Sequence, residues 1–301
     1  MAIVDLIGIR FDGYGRPGNQ TAAAAALRRA GIARPSSGEM IETGDIAPPE
    51  QSAERGPNGL LNEFALLHVK RELARRVETS ISGGRFPLVI GGDCSALLGS
   101  LTGARNALGD CGLLHLDGHE DTTPLDASED GEAANSEIGM LLGMVGRGIA
   151  GEMSAGLPAL QRDALVLLGQ RDDRWRRDLN LGSLETLGVW KRGWEAIAAD
   201  VAGAAGAAVA HVRRRTQQWW MHIDVDVMDP VEFPAQGLPD VPDEPGGLTR
   251  AQLADLVQAA AAEGGCVGAS IAIYDPDQDP DGSGAEFVVN LAHRLLRIVQ
   301  P

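Results

Sequence analysis

Aromatic residues are scarce: five Phe, five Trp and two Tyr make up 4% of 301 residues, while 44% of the chain is hydrophobic. A core of this kind packs through aliphatic side chains, and it is large enough to suit one big α/β domain better than two. Cysteine is scarcer still. Cys94, Cys111 and Cys266 are odd in number and form no close pair, which is not a disulfide framework. Cys111 and Cys266 sit near apolar strand starts and read as small core residues. Basic residues are outnumbered, 26 Lys and Arg against 42 Asp and Glu, for a net charge of −16. That balance argues against nucleic acid and anionic lipid as partners and fits a cytoplasmic protein that draws in cationic substrates. No apolar run approaches ~18 residues and no charged leader precedes an apolar stretch, so neither a membrane span nor a secretory signal is expected. Internal repeats and low-complexity tails are also missing.

What the chain does have is acid concentrated at the ends of apolar runs. Leu113 to Pro124, LLHLDGHEDTTP, alternates so that His115, Asp117 and His119 share one side and Leu114, Leu116 and Gly118 the other. The polar side is not expected to be core. Ionisable groups converging at a strand end repel or stay desolvated unless a cation sits between them, and Asp117, His119 and Asp121 offer the oxygen and nitrogen donors suited to manganese, iron, nickel or zinc. A solvated loop with a capping Asp is the plainer alternative for this stretch alone. Trp219 to Pro230, WWMHIDVDVMDP, repeats the pattern with His222, Asp224 and Asp226 on one face. Two such strands side by side gather enough carboxylates for two ions that share ligands. In Phe86 to Ser100, FPLVIGGDCSALLGS, Gly91 and Gly92 permit a tight turn, Asp93 or Ser95 caps the following helix, and Cys94 sits near a helix N-terminus, where a thiolate is favoured.

Gly-Gly-Asp-x-Ser, Asp-x-His-x-Asp and Asp-x-Asp-x-x-Asp-Pro, in that order, resemble the three signatures of the ureohydrolases, the arginase and agmatinase superfamily. The resemblance runs over most of the chain, from VDLIGIRFDGYGRPG to the GGLT at Gly246 to Thr249. It implies one arginase-like domain over residues 1–301, a three-layer α/β/α fold with a mostly parallel central sheet. It further implies two divalent ions, above all manganese, bridged by a hydroxide that attacks a guanidinium-like carbon. One ion would be held by Asp117, Asp121, Asp224 and the residue at position 94, the other by His119, Asp117, Asp224 and Asp226. Relatives often assemble as trimers or hexamers, which makes a homo-oligomer the expectation.

Three departures bear on substrate and metal. Cys94 stands where the family usually has histidine, which tilts selectivity toward zinc or iron if the thiolate binds and leaves that ion underliganded if it does not. A branch that looks like the N-hydroxy-arginine hydrolases also departs from histidine here. Ile273 falls at the position of the family's guanidinium-gripping glutamate, and an aliphatic side chain cannot pair with a cation. Asp275 and its acidic neighbours offer a substitute, with a solvated turn as the plainer reading of most of that string. The family's histidine proton shuttle has no counterpart in EDGEAANSEIGMLLG, where Glu132 or Glu137 could take part of the role, alongside Asp121 as a catalytic carboxylate. Either glutamate could equally be a helix-start carboxylate favoured by the helix dipole. Asp172 and Asp173, after the strand ALVLLG, are candidates for contacting a substrate amino group, and the arginines around them read as a solvated face or subunit contact.

Along the chain, strands are expected at Ala2 to Ile9, within EMIETGDI, from Phe86, at Cys111 to Asp117, Ala164 to Gly169, weakly at Leu184 to Val189, before Asp224, and at Gly268 to Tyr274. Helices are expected at Thr21 to Ala30, Leu60 to Glu78, up to Ala107, Glu137 to Gly146, Trp194 to Val212, from Thr249 to Glu263, and Glu286 to Val299. The helix from Leu60 puts Phe64, Leu67, Val69 and Leu73 against charged Lys70 and Arg71, with His68 at the surface. The proline-rich segment Val231 to Gly247 is expected to cover the site. His222 is open to three roles: ligand, partner of a ligand, or satisfied core histidine. Two function classes follow. One is a metal-dependent hydrolase of a linear C–N bond in a guanidino, hydroxyguanidino or amidine compound. The other is a non-catalytic paralogue that serves as a subunit or binding partner. Five of six expected ligand positions favour the enzyme.

Overall fold

In the computed structural model, residues 3–14, 19–35, 38–49, 52, 54–126, 128, 131–146, 148–236 and 245–299 are described. Eight strands form one sheet in which every pairing is parallel: β1 Ile3–Ile9, β2 Glu39–Ile46, β3 Phe86–Ile90, β4 Gly112–Leu116, β5 Leu165–Leu168, β6 Trp190–Arg192, β7 Trp219–Asp224 and β8 Cys266–Ala272. Their spatial order is β2-β1-β3-β8-β7-β4-β5-β6. Parallel neighbours need crossovers, and helices supply them on both faces, which is why the inner strands are apolar on both sides.

Side-chain parity divides the interior into two cores. Leu6, Leu88, Leu114, Val166, Met221 and Ile271 pack with the helices α1 Ala23–Arg29, α7 Val201–Val212, α8 Arg250–Ala262 and α9 Ser283–Val299. On the other face Ile7, Val89, Leu113, Leu167 and Trp220 pack with α2 Glu63–Ser82, α3 Leu97–Leu108 and α4 Glu137–Leu142. The three-layer α/β/α arrangement is therefore the observed one, with a wholly parallel sheet.

Several local expectations change. The alanine-rich helix from Trp194 is two, α6 Trp194–Ala199 and α7, because the Asp200 side chain turns to accept from Gly203 N and restarts the helix. Leu184–Leu187 is a 3-10 turn ended by left-handed Gly188, and the edge strand β6 begins only after it. On α2 the apolar stripe is Ala65, Leu66, Val69 and Leu73, so Phe64 lies 76% exposed. Lys70 is buried instead, its ammonium donating to the carbonyls of Met153 at 2.8 Å and Ala155 at 2.6 Å. Thr249 caps α8 with a full capping box to Gln252. Residues 237–244, the middle of the segment expected to cover the site, lie outside the described residues.

Candidate metal centre

The register of the two central strands sets the site. His115 of β4 stands opposite His222 of β7, so the residues two further on, Asp117 and Asp224, emerge together at the carboxyl ends, the edge where parallel α/β sheets bind ligands. The histidines are fully buried and stacked, ring centroids 5.4 Å apart at 8°. This corrects the expectation that the polar side of β4 lies outside the core: His115 points into the α2–α3–α4 side and is 0% exposed. His222 Nδ1 lies 2.7 Å from Ser270 Oγ, which also accepts from Trp220 Nε1 at 2.9 Å.

After β3 the chain turns through Gly91 and Gly92, both left-handed at φ 79° and 73°. A Cβ on Gly92 would stand 2.6 Å from Ile9 Cγ2, so the turn needs glycine. Asp93 caps the 3-10 turn Cys94–Ala96, accepting from Ser95 N at 3.0 Å, and also accepts from Gly13 N at 2.5 Å. Cys94 is thereby aimed at β7, its thiol donating to Asp224 Oδ2 at 2.6 Å with His222 Nε2 at 3.3 Å.

Backbone amides hold the acids in place. Asp117 accepts from His119 N at 2.7 Å, Asp224 from Asp226 N at 2.7 Å, and Asp226 from Gly118 N at 2.9 Å. His119 Nδ1 lies 3.0 Å from Asp226 Oδ2 and 3.6 Å from Asp117 Oδ1. Asp121 takes a left-handed φ of 46°, which turns its carboxylate back toward His115 and Asp117. Glu137 opens α4 and buries its carboxylate beside Asp121 and Asp117.

Three groupings of donor atoms, each within 4.8 Å, result: Cys94 with Asp117 and His222; His115 with Asp117, Asp121 and Glu137; Asp117 with His119 and Asp226. Asp117 belongs to all three. Within them both ring nitrogens of His115, Asp117 Oδ2 and both oxygens of Glu137 are buried without a hydrogen-bond partner among the described residues. Leaving such atoms unmet is costly, and a divalent cation meets them together. The donor set therefore fits the metal ions that the sequence motifs imply.

The electrostatics agree. Burial, then Asp121 and Asp226, pushes Asp117 well above the usual carboxylate range; burial, then Asp226 and Asp117, does the same to Asp224. Glu137 rises through burial and the charges of Asp121 and Asp117, and Asp121 is pushed up to about 6, chiefly by burial. Burial and Asp224 push the Cys94 thiol well up. Burial raises Asp226 too, but His119 and Arg171 outweigh it and hold the group low. His119 in turn is raised by Asp226 and Asp117 against its burial. Among the described residues, the positive partners of these carboxylates are His119 and Arg171.

Of the residues expected at the site, Cys94, Asp117, His119, Asp121, Glu137, Asp224 and Asp226 converge. Asp172, Asp173 and Asp275 are engaged elsewhere. Asp172 accepts from Glu120 N at 3.1 Å and lies 3.6 Å from Arg176; Asp173 pairs with Lys191 at 2.6 Å. Asp275 accepts from Asp277 N at 2.9 Å and Gln278 Nε2 at 2.6 Å, closing its own turn. Glu132 accepts from Asn135 at 3.3 Å and is in none of the three groupings. Ile273, 4% exposed with a left-handed φ of 69°, is tied by its N–H to Gly92 O at 3.0 Å.

Sequence reasoning missed Arg171. Arg171, read as part of a solvated run, is 9% exposed and donates to the Asp226 carbonyl at 2.8 Å; Gly118 leaves it room, since a Cβ there would meet Arg171 Nε at 2.8 Å. Tyr14 follows Gly13, whose N–H donates to Asp93 in the turn that carries Cys94, and its phenol is raised by burial and then by Asp93, Glu132, Cys94 and Asp224. No pattern in the sequence marks Arg171.

A model of the arginase family matches residues 2–297. The arginase of Bacillus caldovelox is 26% identical over 83% of this chain and 83% of its own length, and the guanidinobutyrase of Pseudomonas aeruginosa is 22% identical over 79% and 68%. Among solved structures, the native arginase of Bacillus caldovelox superposes with a TM-score of 0.85 at 24% identity, covering 98% of both chains.

Proposed function

Since the chain belongs to the arginase family, hydrolases of C–N bonds in linear amidines, we propose that it is a metal-dependent hydrolase of a guanidino- or amidine-type small molecule. The observation that carries this reading is the set of orphaned donor atoms around Asp117, which no side-chain cation of the described residues meets. Asp117, His119, Asp224 and Asp226 would hold one ion, and Asp117 with Asp121 part of the set for another. Bound there, divalent ions acidify water and neutralise charge that develops on the attacked carbon's substituents. The chain's own groups do the positioning. Arg171 fixes the Asp226 backbone, Asp226 orients His119, and the backbone amides of Gly118, His119 and Asp226 fix the carboxylates.

Manganese is the proposed metal, with zinc, iron or nickel as competitors that Cys94 favours where it ligates. The proposal includes one catalytic domain over residues 1–301 and a homo-oligomer, trimer or hexamer, in the cytoplasm. Among the described residues no helix is long and apolar enough to cross a membrane.

A second reading narrows the substrate. Ile273 brings an aliphatic side chain to the position where the family grips a guanidinium, which favours a less cationic amidine such as an N-hydroxyguanidino compound over unmodified arginine. The metal-loaded protein, assayed across a panel of guanidino compounds for release of urea, hydroxyurea, ammonia or formamide, tests both. Turnover of hydroxyguanidines above arginine is the expected result. Loaded protein that turns over nothing in the panel leaves the non-catalytic paralogue as the better account.

A further inference from the structure

Cys94 removes an imidazole from the usual ligand pattern, and the structure returns one from another position. His115 Nε2 stands 3.2 Å from Asp117 Oδ2 and 3.6 Å from Asp121 Oδ2, without hydrogen-bond alignment to either. Donors bound at ~2.1 Å to one ion lie roughly 3.0–3.5 Å apart at octahedral or tetrahedral angles. The spacing is that of co-ligands. Glu137 brings a second new donor: it is 0% exposed, neither carboxylate oxygen has a hydrogen-bond partner among the described residues, and its donor atom lies within 4.8 Å of those of His115, Asp117 and Asp121.

Cys94 has the opposite character. Its S–H already has an acceptor in Asp224 Oδ2, with His222 Nε2 beside the sulfur. His222 beside it is also occupied on its far side by Ser270. The thiol belongs to a closed hydrogen-bonded chain, whereas the His115 and Glu137 donors are open.

We infer that one divalent ion is held by His115, Asp117, Asp121 and Glu137, with Asp117 shared with the ion at His119 and Asp226, and with Cys94 left as an uncharged thiol outside the coordination shell. The inference rests on the proposal that the centre binds metal. It gives Glu137 a ligand's role in place of a proton shuttle's. It also predicts a site of nitrogen and oxygen donors, in the hard to borderline range that accepts manganese or iron as well as zinc.

Cobalt(II) added to the chelator-treated, full-length protein tests it by stoichiometry and absorption. Wild type is expected to bind about two ions with no sulfur-to-cobalt charge-transfer band, and Cys94→Ser to bind the same number with an unchanged spectrum. His115→Gln and Glu137→Gln are each expected to fall to about one ion. A thiolate band in wild type that disappears in Cys94→Ser, or two ions retained in both His115→Gln and Glu137→Gln, overturns the assignment while leaving the hydrolase proposal standing. Wild type that binds no ion overturns both. The wild-type spectrum decides the role of Cys94 even if a variant fails to fold.

Discussion

Glu120 and Asp117 are three residues apart and both fully buried, yet their surroundings differ in kind. Glu120 receives Lys191 Nζ at 2.9 Å, Ser183 Oγ at 2.6 Å and Leu184 N at 2.7 Å, with Arg176 at 3.7 Å. Asp172 and Asp173 join it, and the same two cations serve them. By proximity alone this trio also groups as a possible metal site, but the chain has already supplied its countercharge. Around Asp117, among the described residues, the acids outnumber the cations and several donor atoms meet nothing. Buried acids in close company do not identify a metal centre. Acids that outnumber their cations and leave several donor atoms unmet at one point, where the Glu120 cluster leaves Asp172 Oδ1, support the proposal of one.

Asp117→Asn is expected to break the open cluster most severely, since all three of its groupings use it. Both ions and turnover should be lost. In wild type, metal at a thousandfold over Kd should stabilise the fold by about 4 kcal/mol, and thermal unfolding with and without chelator should show that gain vanish in the variant. Lys191→Met attacks the closed cluster and strands a buried Glu120. A loss of about 3–5 kcal/mol in denaturant unfolding is expected, with metal content unchanged and with partial recovery when Glu120→Gln is added.

Acid should move the two clusters in opposite directions. Burial raises Glu120, but Ser183, Arg176, Leu184 N–H and Lys191 together bring it below its ordinary 4.5. The unfolded chain therefore takes up that proton first, and stability is lost as pH falls below that value and through the folded one. Asp117, Asp224 and Glu137 are raised by burial and by one another. Chelator-treated protein takes up those protons before the unfolded chain does, so it gains stability as pH falls from neutral toward the ordinary values, by about 1.4 kcal/mol per unit for each such group. Unfolding midpoints at about pH 7, 5.5 and 3.5 should rise and then fall. A monotonic fall would mean that the acids around Asp117 are not raised.

The contrast also explains how far the sequence could be read. Alternation brought Asp117 and Asp224 together because parity along a strand is a local property and parallel pairing in register matches equal parities, whereas His119 and Asp226 lie past the strand ends, Asp226 in the 3-10 turn Val225–Val227, and converge through backbone amides rather than parity. The Gly91-Gly92 turn and the Thr249 helix cap were legible because they too are local. Whether an arginine or lysine near an acid faces solvent or closes a buried pair depends on tertiary distance, so Arg171, Arg176 and Lys70 were missed. Glu137 reaches Asp121 through a loop whose path no periodicity encodes. The break at Asp200 was hidden because an alanine-rich run favours helix on both sides of it.

The Trp220 indole donates to the Ser270 hydroxyl, which touches His222, which stacks on His115. An intrinsic fluorophore is thus wired by two hydrogen bonds and one ring stack to the place where an ion is proposed to sit. Loading is expected to register in tryptophan emission without any added dye, giving each step of reconstitution an optical signature from inside the protein.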